Sequence, residues 1–157
     1  MNTSEHSHNS TEENGCVIVV DDNDDLRHML CVALETAGFE VVEADTQLEL
    51  QRRLAYTRPD ALVLDLQRSE SDGLALLYRM RARQELSTVP ILFISGTEDE
   101  VLRYDALEAG ADWFGLRPLG MIELQNRVGE LIQNGRPATP QVRPKRPLHI
   151  LQLKRTG

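Results

Sequence analysis

Residues Val17 to Leu26 read VIVVDDNDDL, and the way this stretch is understood decides the rest of the chain. Four apolar residues run straight into four carboxylates, broken only by Asn23. No polar residue alternates with the apolar ones, so the run predicts a strand covered on both faces, the mark of a parallel sheet between helices. The acidic half then falls where that strand ends. At an effective dielectric near 20, two carboxylates about 4 Å apart repel by roughly 4 kcal/mol. A strand end carrying several of them calls for something positive.

Outward from this stretch, residues 61–64 and 91–94 form two further unbroken apolar runs, and 39–43 and 113–116 are weaker strand candidates beside the first strand at 16–20. Between them lie helical patterns. Leu26, Met29, Leu30, Ala33, Leu34 and Ala37 recur at helical spacing and stop at Gly38, a C-terminal cap. Residues 73–83, 98–109 and 120–133 repeat the pattern, Gly110 closes the second of these, and 46–56 is a fainter helix. Strand and helix alternate five times over. That order predicts an α/β fold, an open, doubly wound parallel sheet with helices on both faces and right-handed crossovers.

The 157 residues suit one domain able to bury a core without disulfides or structural metal, and 41% hydrophobic content fits a soluble globular chain. Cys16 and Cys31 make neither a CxxC motif nor a disulfide framework and read as plain buried thiols. Residues 1–14, rich in Ser, Thr, Asn and Glu, read as a disordered arm, with His6 and His8 weak metal candidates. No signal peptide and no apolar run of membrane-spanning length is seen, so the expected location is cytoplasmic. The net charge of −8 divides unevenly: the first 14 residues carry −3, residues 133–157 carry +6, and the middle is left with −11. Such an acidic middle is unsuited to gripping a nucleic-acid backbone, whose affinity comes largely from Lys and Arg. The expected division is an arm at 1–14, a folded domain at 15–133 and a Pro-rich basic linker or tail at 134–157. That tail is too short for a helix-turn-helix module.

In an open parallel sheet, ligands bind just past the carboxyl ends of the strands, where strand order reverses. Asp21 and Asp22 follow the first strand, Asp65 the third, Ser95 and Gly96 the fourth, and Arg117 with Pro118 the fifth. One rim thus gathers three carboxylates, a hydroxyl and a guanidinium. Carboxylates so placed suit a hard cation such as Mg2+, which takes oxygen ligands and keeps waters. Asp65 would ligate the ion and act as nucleophile toward a phosphoryl group. Ser95, Arg117 and nearby backbone N–H groups would hold the phosphoryl oxygens. Each residue alone has a plainer reading: Asn23 or Asp24 as helix N-cap, Asp65 as a turn residue, Ser95-Gly96 as a strand terminus. The set at the correct strand ends carries the argument.

These residues resemble the response-regulator receiver domain, the phosphoacceptor module of two-component signalling. The carrying motifs are VVDDN, PDALVLDLQRSESDGLALL, VPILFISG and EAGADWFGLRPLG, covering residue 16 to about 133. The resemblance implies a flavodoxin-like five-stranded sheet of order 2-1-3-4-5, with Asp65 phosphorylated by a sensor histidine kinase or phosphotransfer protein. It implies Asp22 as a direct Mg2+ ligand, Asp21 as a mainly water-mediated one, and the Gln67 backbone carbonyl completing the set with Asp65. Ser95 and Phe114 would be the switch pair, the Arg117–Pro118 bond would be cis, and the response would surface on residues 98–133 toward a downstream protein or a second copy. Such a switch catalyses only its own phosphorylation and dephosphorylation.

Two positions depart from the family pattern. Arg117 stands where the family usually has Lys, and Arg68-Ser69 replaces the usual Met-Pro pair after Asp65. Arg binds phosphate but is longer and bulkier, so the exchange is not conservative at a tight site. The departures motivate an alternative, a degenerate receiver acting as a phosphorylation-independent binding module. A remote alternative is a phosphatase of the haloacid-dehalogenase type, suggested by Asp22-Asn23-Asp24 and FISG; its expected Lys and later acidic pair are missing. Flavin-phosphate binding is set aside, because DDNDD repels an anion that wants backbone N–H groups.

Overall fold

The computed structural model describes residues 14–65 and 70–138. Residues 1–13 of the expected arm, Gln67, Arg68 and Ser69, and the tail beyond Ala138 lie outside the described residues. Five strands alternate with five helices: β1 Cys16–Asp21, α1 Asp24–Thr36, β2 Glu40–Ala44, α2 Gln47–Leu54, β3 Ala61–Asp65, α3 Glu70–Ala82, β4 Ile91–Ser95, α4 Glu100–Glu108, β5 Trp113–Leu116 and α5 Met121–Asn134. A short 3-10 helix, Gln84–Leu86, separates α3 from β4. The sheet is parallel throughout and ordered β2-β1-β3-β4-β5.

The unbroken apolar runs have a direct cause. Because successive side chains of a strand point to opposite faces, Val17, Val19, Ala61, Val63, Leu92 and Ile94 join one core with Leu34 of α1 and Leu124 and Val128 of α5. Ile18, Val20, Leu62, Leu64, Ile91 and Phe93 join the other, with Leu50 of α2, Leu76, Leu77 and Met80 of α3, and Leu102 and Ala106 of α4. A strand buried on both faces has no polar positions to alternate.

Element ends are set by local hydrogen bonds. Asn23 caps α1, its side chain accepting from the Leu26 N–H at 3.0 Å. At the other end Gly38 takes a φ of 90°, the left-handed turn that lets the Phe39 N–H reach back to the Leu34 carbonyl. The start of α4 falls at Glu100 rather than 98, because the Asp99 carboxylate accepts from the N–H groups of Val101 and Leu102. The faint helix expected over 46–56 is real but shorter: the Ala55 and Tyr56 N–H groups already bond three residues back. The third helix begins at Glu70, three residues before the expected 73. Cys31 is buried as expected, whereas Cys16 is only half-buried; neither forms a disulfide.

At the amino end of the sheet, Asp112 forms a closed ionic lock. It is 3% exposed and accepts from Arg81 Nη2 at 2.9 Å, Arg136 Nε at 2.9 Å and the Ile91 backbone N–H at 2.9 Å. Arg81 also donates to the carbonyls of Leu86, Val89 and Gly110, and Arg136 to that of Ser87. Burial lowers the Arg81 pKa to about 10, so it stays charged at neutral pH.

Removing one partner from a buried charge pair leaves the other uncompensated, at roughly 3–5 kcal/mol. Asp112→Ala is therefore expected to lose about that much in a urea unfolding titration. Arg136→Ala, which removes a part-exposed donor, should lose only about 1 kcal/mol. An Asp112→Ala protein as stable as the parent would contradict this account of the lock.

Candidate functional site

The opposite, carboxyl end of the sheet has the reverse character. Strands β1 and β3 are neighbours whose register pairs Asp21 with Asp65. Adjacent strands lie about 4.8 Å apart, so the two carboxyls stand side by side, and both are buried, Asp21 at 0% and Asp65 at 1% exposure. They continue the rows Val17–Val19 and Ala61–Val63, on the face that carries α1 and α5. Asp22, half-buried, is the next residue of the chain.

Asp21 is less fully satisfied than Asp112. Asp21 Oδ1 accepts from the Asn23 N–H at 2.9 Å, while Oδ2 is buried and accepts no hydrogen bond among the described residues. Arg27 of α1 lies close but donates to the Asp21 backbone carbonyl, at 2.8 Å, and to the Asp24 carboxylate. Arg117 Nε stands 3.3 Å from Asp65 Oδ1, with the arginine side chain 24% exposed. Burial pushes the Asp65 pKa up to about 7, neighbouring Asp21 adds to the rise, and Arg117 opposes it. For Asp21 burial also dominates and raises the pKa to about 6, offset in part by the Asn23 N–H and raised further by Asp22.

Ser95 and Arg117 meet because β4 and β5 are paired. Ser95 registers with Leu116, and the Arg117 N–H donates to the Ser95 carbonyl at 2.8 Å. The Ser95 Oγ accepts from the Thr97 N–H at 3.1 Å. The Arg117–Pro118 peptide is cis. Phe114 is 7% exposed and stacked on Phe93, centroids 5.9 Å apart, so its ring already occupies an inward place. Beside the acids, an apolar cavity of about 390 Å³ opens between α1 and α5, lined by Met29, Leu30, Ile94, Gly96, Arg117 and Leu119 among others.

The rim expected from the sequence thus brings Asp21, Asp22, Asp65, Ser95, Gly96 and Arg117 to one end of the sheet, while Gln67 lies outside the described residues. No group of three or more His, Cys, Asp or Glu among the described residues is gathered closely enough to cage an ion. The donor set nonetheless fits magnesium, which is held by one or two carboxylates plus waters. The orphaned Asp21 Oδ2, next to a second buried acid, is the feature that fits it. Arg27 was not singled out in the sequence; its signal is a cation one helical turn past an acidic N-cap region. Nor was Thr97, two residues beyond Ser95, whose backbone holds the hydroxyl.

Comparison with known proteins agrees with this geometry. The family model for the response regulator receiver domain matches residues 17–129. The chain is 37% identical over 115 residues to the KDP operon transcriptional regulatory protein KdpE of Escherichia coli, covering 71% of this chain and 48% of KdpE. It is 37% identical over 117 residues to the transcriptional regulatory protein PrrA of Mycobacterium leprae, covering 74% and 49%. The chain therefore spans about half the length of these curated relatives. Among solved structures, a signal receiver domain of a histidine kinase from Syntrophus aciditrophicus superposes with TM-score 0.69 at 27% identity, covering 83% of this chain and 98% of that one. A Thermotoga maritima response regulator gives 0.68 at 27% identity, covering 75% and 97%. With its fold, its strand-end acids and a family match over most of its length, the chain belongs to the response regulator receiver domain family.

Proposed function

We propose that this receiver accepts a phosphoryl group on Asp65 from the phosphohistidine of a sensor kinase or phosphotransfer protein. The observation that supports it is the buried Asp21–Asp65 pair, which includes an Asp21 Oδ2 that accepts no hydrogen bond among the described residues, an arrangement costly in repulsion and of no use to the core. In the transfer the ionised Asp65 carboxylate attacks phosphorus, an O–P bond forms, and the N–P bond of the donor breaks, the imidazole leaving with the electron pair. A protonated carboxyl is a poor nucleophile, and Asp65 is raised to about 7. Magnesium would be held by Asp22 and Asp65 directly, by Asp21 mainly through water and by the Gln67 carbonyl, and would supply positive charge that favours the ionised form and neutralises phosphoryl oxygens.

Arg117 and Ser95 do the rest. Arg117 already stands on Asp65, where its guanidinium takes up oxygen charge as the phosphoryl group arrives. Ser95 redirects to a phosphoryl oxygen the hydroxyl proton it donates to the Thr97 carbonyl, and residues 98–133 carry the change to a downstream protein or a second copy. The domain catalyses only its own modification. The cytoplasm suits both kinase and target, and the basic residues beyond Ala138 act as linker. The second reading, a binding module that is never phosphorylated, is favoured by the Arg117–Asp65 ion pair, which gives Asp65 a partner in the resting state.

Incubation with a small phosphodonor and Mg2+ is expected to add one phosphate per chain, read by mass spectrometry, and Asp65→Asn to abolish it. Labelling of the mutant would refute the assignment; an unlabelled parent would support the second reading. The raised pKa values make a separate prediction without metal. The folded state binds protons at Asp21 and Asp65 more tightly than the unfolded chain, so the stability they allow is present at low pH and lost as pH rises through about 6 to 7. The metal-free Tm should fall from about pH 5 to about pH 8, and Asp65→Asn should flatten the fall and raise the Tm at the upper end by roughly 5 °C. A Tm that climbs across this window, unaffected by Asp65→Asn, would contradict it.

A further inference from the structure

Gly96, the first residue after β4, has no backbone reason to be glycine: Gly15, Gly38, Gly110 and Gly135 have positive φ values, and Gly96 is not one of them. Its reason is space. A β-carbon built at position 96 would fall 2.7 Å from Arg117 Nη2, 3.2 Å from Cζ and 3.5 Å from Nη1. The volume a side chain would have filled is occupied by the guanidinium. The juxtaposition follows from strand pairing, since the Arg117 N–H donates to the Ser95 carbonyl and holds positions 96 and 117 against each other. From there Arg117 Nε reaches to 3.3 Å from Asp65 Oδ1.

We propose that Gly96 is a positioning residue for Arg117, and that the two form a coupled pair: glycine at 96 is what allows an arginine, longer and bulkier than a lysine, to fold back onto Asp65. The inference rests on the reading of Asp65 as phosphoacceptor and deepens it, because it makes Arg117 a built cation for phosphoryl oxygens rather than the relic of a lost lysine. The colliding atoms of Arg117 are the end of a flexible side chain, so alanine at 96 displaces the guanidinium and leaves the backbone in place. Alanine also keeps the residue 96 N–H, so any loss it causes comes from the displaced guanidinium. A lysine at 117 carries no planar fork and demands less of that volume.

The test is a cycle of four full-length proteins: parent, Gly96→Ala, Arg117→Lys and the double variant. Each is labelled with a small phosphodonor and Mg2+ and melted without donor. Misplacing a charged group by about 1 Å costs up to a hundredfold, so Gly96→Ala is expected to slow labelling about tenfold or more in the arginine background. In the lysine background the same change should cost less than about threefold. Equal losses in both backgrounds, or no loss with arginine, would overturn the pairing. If no form is labelled, the phosphoacceptor reading fails, and the melts still decide the pair. Gly96→Ala must then lower the Tm more with arginine at 117 than with lysine, and equal shifts would sink it.

Discussion

Two like charges buried side by side are the constraint on which this molecule turns. Asp21 and Asp65 share a register position on adjacent parallel strands, so the fold cannot form without bringing them together. Both side chains are buried. Among described residues only one backbone N–H serves Asp21 Oδ1, and nothing serves Oδ2. Burial, more than any neighbouring charge, raises the pKa of both acids.

Asp112 shows that the same fold is able to satisfy a buried acid fully. At the amino end of the sheet one carboxylate takes two arginines and a backbone N–H. At the carboxyl end the Arg117–Asp65 ion pair stands beside an Asp21 Oδ2 that accepts no hydrogen bond among the described residues. The difference sets the two ends apart: one is closed by arginines, the other gathers the acids of the proposed phosphoacceptor site. The apolar rows between them, covered by α1 and α5 on one face and α2, α3 and α4 on the other, hold the two ends rigidly apart.

Much of this was legible in the sequence because burial leaves a plain mark there. β1, β3 and β4 read as continuous apolar runs, and the residues that follow them are the rim. The boundaries that moved did so for local reasons: Asp99 caps α4 with its own carboxylate, and β2, with Glu40 and Glu43 exposed, gives a weaker pattern that slides by one residue. What stayed hidden depends on partners distant in the chain. Asp112 finds Arg81 and Arg136 across 31 and 24 residues, and Gly96 finds Arg117 across a strand pair. Arginine in the family's lysine place reads from sequence as a non-conservative exchange that leaves phosphorylation open; the space beside it shows how the longer side chain is accommodated.

The central claim is that the Asp21–Asp65 pair is an incomplete electrostatic site that a divalent cation completes. Calorimetric titration of Mg2+ into the metal-free full-length protein at neutral pH tests it most directly. One ion per chain should bind, and Asp21→Asn should weaken binding substantially while leaving the fold intact by circular dichroism. Binding that is absent, or unchanged by Asp21→Asn, would contradict it.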